Sequence, residues 1–256
     1  MDRRAFFRYT GLLAGGAMLG AGGVGGASDY RRHEDATLSG HAVGCDRPPD
    51  LRATTVAYRG PAGEPVVALT FDDGPSRRYT ARVLDILDAK RVPATFFVVG
   101  RHAAALPELV SRAARRHEIA NHTWSHPNMS LGRATSVSRE LERTEQTIKR
   151  LTGRAPTTFR PPYGCFSGAT VMVAARMRYS IALWDLKFSV GDSAASNVTR
   201  LAAAAVPGSI ILGHDGGTLN NEVVVQALPA LIDSIRRRGL RFVTVAEMLG
   251  STSERV

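Results

Sequence analysis

From residue 64 onward the chain repeats one pattern seven times: a short apolar run, then a longer stretch with apolar residues at helical spacing. The runs lie at 66–71, 94–99, 118–121, 157–159, 180–184, 209–213 and 242–245. The first, Val66-Val67-Ala68-Leu69-Thr70-Phe71, is apolar at every position but one, as a strand buried on both faces requires. Helical stretches are predicted at 79–89, where Val83, Leu84 and Leu87 share a face, and at 103–116, 134–151, 168–177, 196–205 and 221–238, with a short helix closing the chain. Parallel strands need a crossover, so the alternation demands a parallel sheet covered by helices. An open doubly wound sheet and a barrel both satisfy it. No Gly-x-Gly-x-x-Gly follows the first strand, which weakens a dinucleotide-binding reading, and no period of 20–50 residues indicates a solenoid.

The flanks read differently. Residues 2–8 are charged and aromatic, residues 9–24 are weakly apolar and glycine-rich, and small residues follow at Gly25-Gly26-Ala27. That layout is an export signal, and Arg3-Arg4 before Phe6-Phe7 resembles a twin-arginine address. So many glycines give too little apolar area for a membrane span. The expectation is export after removal of residues 1–27, with membrane contact only in transit. Residues 28–63 show no periodicity and read as an irregular arm, leaving 64–250 as the folded domain. Cys45 and Cys165 are the only cysteines, too few for a disulfide scaffold or a thiolate metal site, though they could bridge in an oxidising compartment. The apolar stretch that a lipoprotein signal needs is missing before Cys45.

Of 33 basic residues, 30 are arginine, and the formal charge is +10; losing residues 1–27 leaves +8. This favours anionic surroundings such as a cell envelope. The charge is scattered through helices without a nucleic-acid motif, and its longest run, Arg236-Arg237-Arg238, falls where a helix dipole favours cations. No nucleic-acid partner is expected, and the chain is read as a monomer.

Strands of such folds deliver functional groups at their carboxyl ends. Asp72 and Asp73 follow the first run, His122 the third and Arg160 the fourth; Trp184 ends the fifth and Asp185 follows it, and His214 follows the sixth. Adjacent carboxylates project differently, so one can bind a metal while the other stays free as a base; a plain Asp-Gly-Pro turn is the simpler alternative. His122 and His126, four apart, share a face if the backbone is helical. With Asp73 they form a two-histidine, one-carboxylate set, which both zinc hydrolases and Fe(II) oxygenases use. Arg160-Pro161-Pro162-Tyr163-Gly164 holds its arginine and its tyrosine amide on a rigid backbone.

Together these segments resemble the polysaccharide deacetylase family (carbohydrate esterase family 4, the NodB homology domain). Thr70-Phe71-Asp72-Asp73-Gly74, His122-Thr123-Trp124-Ser125-His126, Arg160-Pro161-Pro162-Tyr163-Gly164 and Leu212-Gly213-His214 match four of its motifs in order. The resemblance implies a distorted (β/α) barrel of about seven parallel strands. It implies Asp72 as general base, Asp73, His122 and His126 as ligands of a divalent metal, and a metal-activated water as nucleophile. Zinc is the expected ion, with cobalt or nickel compatible. Arg160 would orient the base, the Tyr163 amide would bind the oxyanion, and Pro161, Trp184 and Leu212 would contact substrate. His214 would be the general acid. The fourth motif departs: in Trp184-Asp185-Leu186-Lys187, Lys187 stands where an aspartate usually pairs with the catalytic histidine. Asp185, Asp192 and Asp215 are the available substitutes, Asp185 first. The implied reaction is N-deacetylation of an N-acetylhexosamine polysaccharide, with peptidoglycan or chitin-type oligomers as substrate. The alternatives are O-acetyl ester cleavage on a xylan-type polymer and a non-catalytic carbohydrate-binding role.

Overall fold

The computed structural model describes residues 53–217 and 221–250, all within the second of two compact units, Asp50–Val256. The export segment, most of the arm, and Cys45 lie outside the described residues.

All seven expected strands are present: β2 (Val66–Asp72), β3 (Thr95–Val98), β4 (Glu118–Asn121), β5 (Thr158–Phe159), β6 (Ser180–Ala182), β8 (Ile210–His214) and β9 (Arg241–Val243). Two more, β1 (Val56–Ala57) and β7 (Leu186–Lys187), are two-residue strands that the apolar runs did not indicate. The helices are α1 (Thr80–Lys90), α2 (Gly100–Ala105), α3 (Pro107–Ala113), α4 (Ala134–Thr152), α5 (Gly168–Arg176), α6 (Ala194–Ala204), α7 (Glu222–Arg237) and α8 (Val245–Met248). The stretch read as one helix at 103–116 is two, because Pro107 opens a new helix where its missing N–H costs nothing.

The strands run β1-β6-β5-β4-β3-β2-β8-β7, and every pairing is parallel. β9 pairs with residues 66–68 of β2, below the point where β3 joins at Thr70. The sheet curls so that the residues after β1 meet those before β8: Arg59 forms an antiparallel bridge with Ser209, and the Gly60 N–H donates to the Gly208 carbonyl at 2.8 Å. The arm expected to be irregular thus supplies an edge strand, β1, which pairs with β6.

Alternation along the strands divides the side chains between two cores. Val67, Leu69, Phe71, Phe96, Val98 and Ile211 face outward into the core under the helices. Ala68, Phe97, Ala120, Ala182 and Ile210 fill the barrel interior. Stepping two residues along the inward rows leads from Ala68 through Thr70 to Asp72, from Ala120 to His122, from Ala182 to Trp184, and from Ile210 through Leu212 to His214. The inward rows therefore run from apolar filling to functional groups at one end. At the opposite end, Glu118 of β4 accepts hydrogen bonds from Thr95 (2.7 Å) and Thr158 and from the Ala246 N–H (2.9 Å), a polar plug at the barrel floor.

Candidate active site

Arg160 is the pivot. Its side chain is 0% exposed, and all its hydrogen bonds are internal. Nε donates to the Ala182 carbonyl (2.9 Å) and Nη2 to the Leu183 carbonyl (2.9 Å). Nη1 donates to Thr70 Oγ1 (2.8 Å) and to Asp72 Oδ1 (2.7 Å). The guanidinium lies 4.0 Å from the centre of the Phe97 ring and 5.6 Å from that of Trp184. Burial pulls its pKa below the ordinary arginine value, and the Asp72 charge opposes that shift. A buried ion pair of this kind holds a carboxylate in one orientation. Asp72 is fixed through Oδ1, while Oδ2 lies 3.9 Å from His122 Nε2.

Asp73, His122 and His126 converge beside that pair. Asp73 Oδ1 is 3.0 Å from His126 Nε2 and 3.4 Å from His122 Nε2, and one donor atom from each residue lies within 4.8 Å of the others. Asp73 Oδ1 is buried and makes no hydrogen bond. His122 Nδ1 is 2.8 Å from the Arg160 carbonyl and so carries the proton, turning the lone pair of Nε2 toward Asp73. An orphaned buried carboxylate oxygen facing two imidazole nitrogens is a donor set suited to a divalent cation. Burial raises the Asp73 pKa, but His122 and His126 outweigh it and hold the carboxyl well below the usual range. Burial disfavours a charged His122, and Asp72 and then Asp73 overcome it, raising the imidazole pKa.

The two histidines are not on a helix. They flank a turn after β4 in which Thr123 and His126 take φ of 67° and 65°. Asn121 Oδ1 accepts the Thr123 N–H (2.9 Å), and Thr123 Oγ1 accepts the His126 N–H (3.0 Å). The turn folds back so that four residues of separation bring the rings to 5.0 Å, the contact a helix would have given. Asp73 and Tyr163 also have left-handed φ, 70° and 61°, so four site residues carry unusual backbone conformations. Gly216 makes room for Asp73: a Cβ there would lie 2.2 Å from the Asp73 carbonyl oxygen.

The remaining expected residues line the same end. His214 is paired in register with Asp72 across β2 and β8. Leu212 and Pro161 are buried, and Tyr163 is 66% exposed on the 3-10 turn Pro162–Gly164, its ring 4.8 Å from that of His126. The turn's bonds come from the Gly164 and Cys165 amides, leaving the Tyr163 N–H outside them. The Trp184 ring is close enough that a Cβ on Gly164 would sit 3.0 Å from it. Cys165 is half-buried on this segment and forms no disulfide among the described residues.

Asp185 is the exception. It is not brought to His214; it clasps the barrel closure instead. Oδ1 accepts the Ile210 N–H (2.7 Å), while Oδ2 accepts Ser209 Oγ (2.9 Å) and pairs with Arg59 (2.8 Å). Ile210 begins β8 and His214 ends it, so the carboxylate serves the wrong end of the strand. Asp192 is exposed, and Lys187 is an exposed residue paired in register with Leu212. Asp215 is buried, bonded to Thr80 Oγ1 at 2.6 Å, and pushed up to about 7 chiefly by burial. Among the described residues none of the three carboxylates hydrogen-bonds His214. Asp185→Asn should therefore lower stability by about 1–3 kcal/mol in urea unfolding, the usual cost of weakening hydrogen bonds to a charged group. The pH–rate profile should stay unchanged; a displaced profile would restore Asp185 to the acid.

Three contributors escaped the sequence reading: His102, whose Nδ1 lies 2.9 Å from the Asp73 carbonyl, Asn121, and Glu140 on α4. None lies in a recognised motif. Asn121, directly before His122, was the one within reach of inspection.

Residues 59–182 match the family described as polysaccharide deacetylase. Over 204 residues the chain is 37% identical to a Bacillus cereus peptidoglycan-N-acetylglucosamine deacetylase, covering 78% of this chain and 74% of that one. It is 36% identical over 198 residues to a Bradyrhizobium chitooligosaccharide deacetylase, covering 71% and 90%. Among solved structures, the Bc1960 peptidoglycan N-acetylglucosamine deacetylase aligns with a TM-score of 0.75 at 35% identity, over 78% of this chain and 95% of that one. The Xyl-CE4 domain of a multidomain xylanase, from a Trinervitermes trinervoides hindgut metagenome, aligns at 0.65 and 33%, over 73% and 90%.

Proposed function

This protein belongs to the polysaccharide deacetylase family, and from that premise we propose that it hydrolyses N-acetyl groups on an N-acetylhexosamine polymer, peptidoglycan first and chitin-type oligomers second. The observation that carries the reading is the Arg160–Asp72 pair (2.7 Å) set beside the Asp73–His122–His126 cluster. A fixed carboxylate beside a donor set suited to a divalent cation supports base-assisted hydrolysis.

A divalent ion held by Asp73, His122 and His126, taken as zinc with cobalt or nickel compatible, supplies Lewis acidity toward the acetyl carbonyl and water. Asp72 receives the proton of the attacking water as general base, and Arg160 keeps the accepting oxygen aimed. The free Tyr163 N–H donates to the oxyanion that develops on the acetyl carbonyl; removing such a donor elsewhere costs about 2.7–4 kcal/mol. His214 protonates the departing amine. Its register opposite Asp72 supports giving acid and base to neighbouring strands. Trp184, Leu212 and Pro161 wall the acetyl group. Export through residues 1–27 would bring a chain of charge +8 to an anionic wall, where peptidoglycan is the polymer at hand.

The test is acetate release from N-acetylglucosamine oligomers, purified peptidoglycan and acetylated xylan, with chelator and with added zinc. Chelator-sensitive release from either amide polymer supports the proposal. Release from xylan alone favours ester cleavage, the reading to which the likeness to the xylanase domain points. No release with zinc bound favours a binding role, and no release without zinc overturns the site. In the same protein, His122→Ala should remove stoichiometric zinc as read by elemental analysis, because it deletes the ligand held on both sides by Asp73 and the Arg160 carbonyl.

A further inference from the structure

His122 and His126 differ in how they are held. His122 follows β4, is buried, and has its second ring nitrogen bonded to the Arg160 carbonyl. His126 is half-exposed, and its imidazole has no hydrogen-bond partner beyond its approach to Asp73 among the described residues. Histidines that ligate metals usually owe their orientation to a bond from the other ring nitrogen. For His126 that work falls to the backbone of the turn.

The turn is held from outside by α2, whose Gly100 and Arg101 N–H groups donate to the Thr123 (2.9 Å) and Trp124 (3.2 Å) carbonyls, and by one side chain of α4, which alone reaches its amides. Glu140 Oε2 accepts the N–H groups of Trp124 (2.9 Å) and Ser125 (2.8 Å), and Oε1 accepts Ser125 Oγ (2.9 Å). These are two of the three residues between the two histidines, and their amides have no strand or helix partner. Glu140 forms no ion pair among the described residues, so the amides are its principal partners; charge-assisted bonds of this kind are the stronger ones. One helical turn on, the Arg143 guanidinium lies 3.7 Å from the centre of the Trp124 ring, a second hold by the same helix. The left-handed φ at Thr123 and His126 is a conformation that surrounding contacts must impose.

We propose that Glu140 is a positioning residue for the metal site: by fixing the Trp124–Ser125 segment it sets where His126 meets Asp73, and hence how tightly the site holds its ion. It touches neither ion nor substrate. The inference rests on reading Asp73, His122 and His126 as ligands.

The test uses metal-stripped full-length protein and its Glu140→Ala, Glu140→Asp and Glu140→Gln variants, titrated with zinc against a chromophoric chelator, with thermal unfolding of each apo form in parallel. Glu140→Ala and Glu140→Asp should bind zinc about 10–100-fold more weakly than the parent, the usual loss when an outer-shell partner is removed. Aspartate keeps the charge and the helix but is a methylene too short to reach, so it carries the test if the alanine variant does not fold. Glu140→Gln should recover most of the affinity, because its carbonyl oxygen can accept both amides and its NH₂ can donate to Ser125 Oγ. Parental zinc affinity in the alanine or aspartate variant overturns the proposal, even where the apo form melts earlier, since a purely structural brace would show only the melting change. A parent that binds no zinc overturns the ligand reading itself, a result distinguishable from the first.

Discussion

If Asp72 is the general base, Asp72→Asn should leave a folded protein that still takes up a divalent ion and releases acetate about 10²–10⁴-fold more slowly in kcat/KM, the span a general base contributes. Asparagine has the same shape, and its carbonyl oxygen can still accept the Arg160 hydrogen bond that aspartate accepts at 2.7 Å. What it cannot do is take a proton at the second oxygen. Metal content and acetate release, measured on one preparation, separate the possibilities. Parental activity places the base elsewhere, and loss of metal together with activity makes Asp72 a ligand, not a base.

Arg160→Met should act on fold and chemistry at once. The arginine fills the space beneath the site, bonded to two main-chain carbonyls, Thr70 and Asp72, and fully shielded from water. Methionine fills much of the volume but strands a carboxylate that is only 3% exposed. Breaking a buried pair from one side typically costs about 3–5 kcal/mol. Urea unfolding should show a loss of that size, and acetate release should fall at least as far as in Asp72→Asn. A loss under about 1 kcal/mol would mean that water reaches Asp72 and solvates it. Arg160→Lys should not rescue the site, because an ammonium cannot reach Asp72 and both carbonyls in one plane.

Much of the fold was legible because the barrel writes two periods into the chain. Strands buried on both faces appear as continuous apolar runs, and covering helices appear as 3.6-residue spacing. What escaped were β1 and β7, two-residue strands outside the seven apolar runs, and the break at Pro107. The site was legible to the extent that its residues cluster locally: Asp72 with Asp73, His122 with His126, Arg160 with Tyr163. The geometry assumed for the histidine pair was not, since a helix and a tight turn both return position i+4 toward position i. Only the hydrogen bonds of Thr123, Asn121 and Glu140 distinguish them. Asp185 was misplaced for a similar reason. Position beside Trp184 suggested the site, but the chain leaves β6 there and its next side chain meets Arg59 and the start of β8.

The sequence by itself determined the order of strands and helices along the chain, the polar residues at five strand ends and the motifs of the family, because these depend on neighbours within a few positions. The tertiary structure decided which partners those residues met across 88 positions for Asp72 and Arg160, 126 for Arg59 and Asp185, and 15 for Ser125 and Glu140. Such contacts follow from the curl and register of the sheet and from the fit of α4 against it. They are set by the packing of the whole barrel, which no local stretch of sequence encodes.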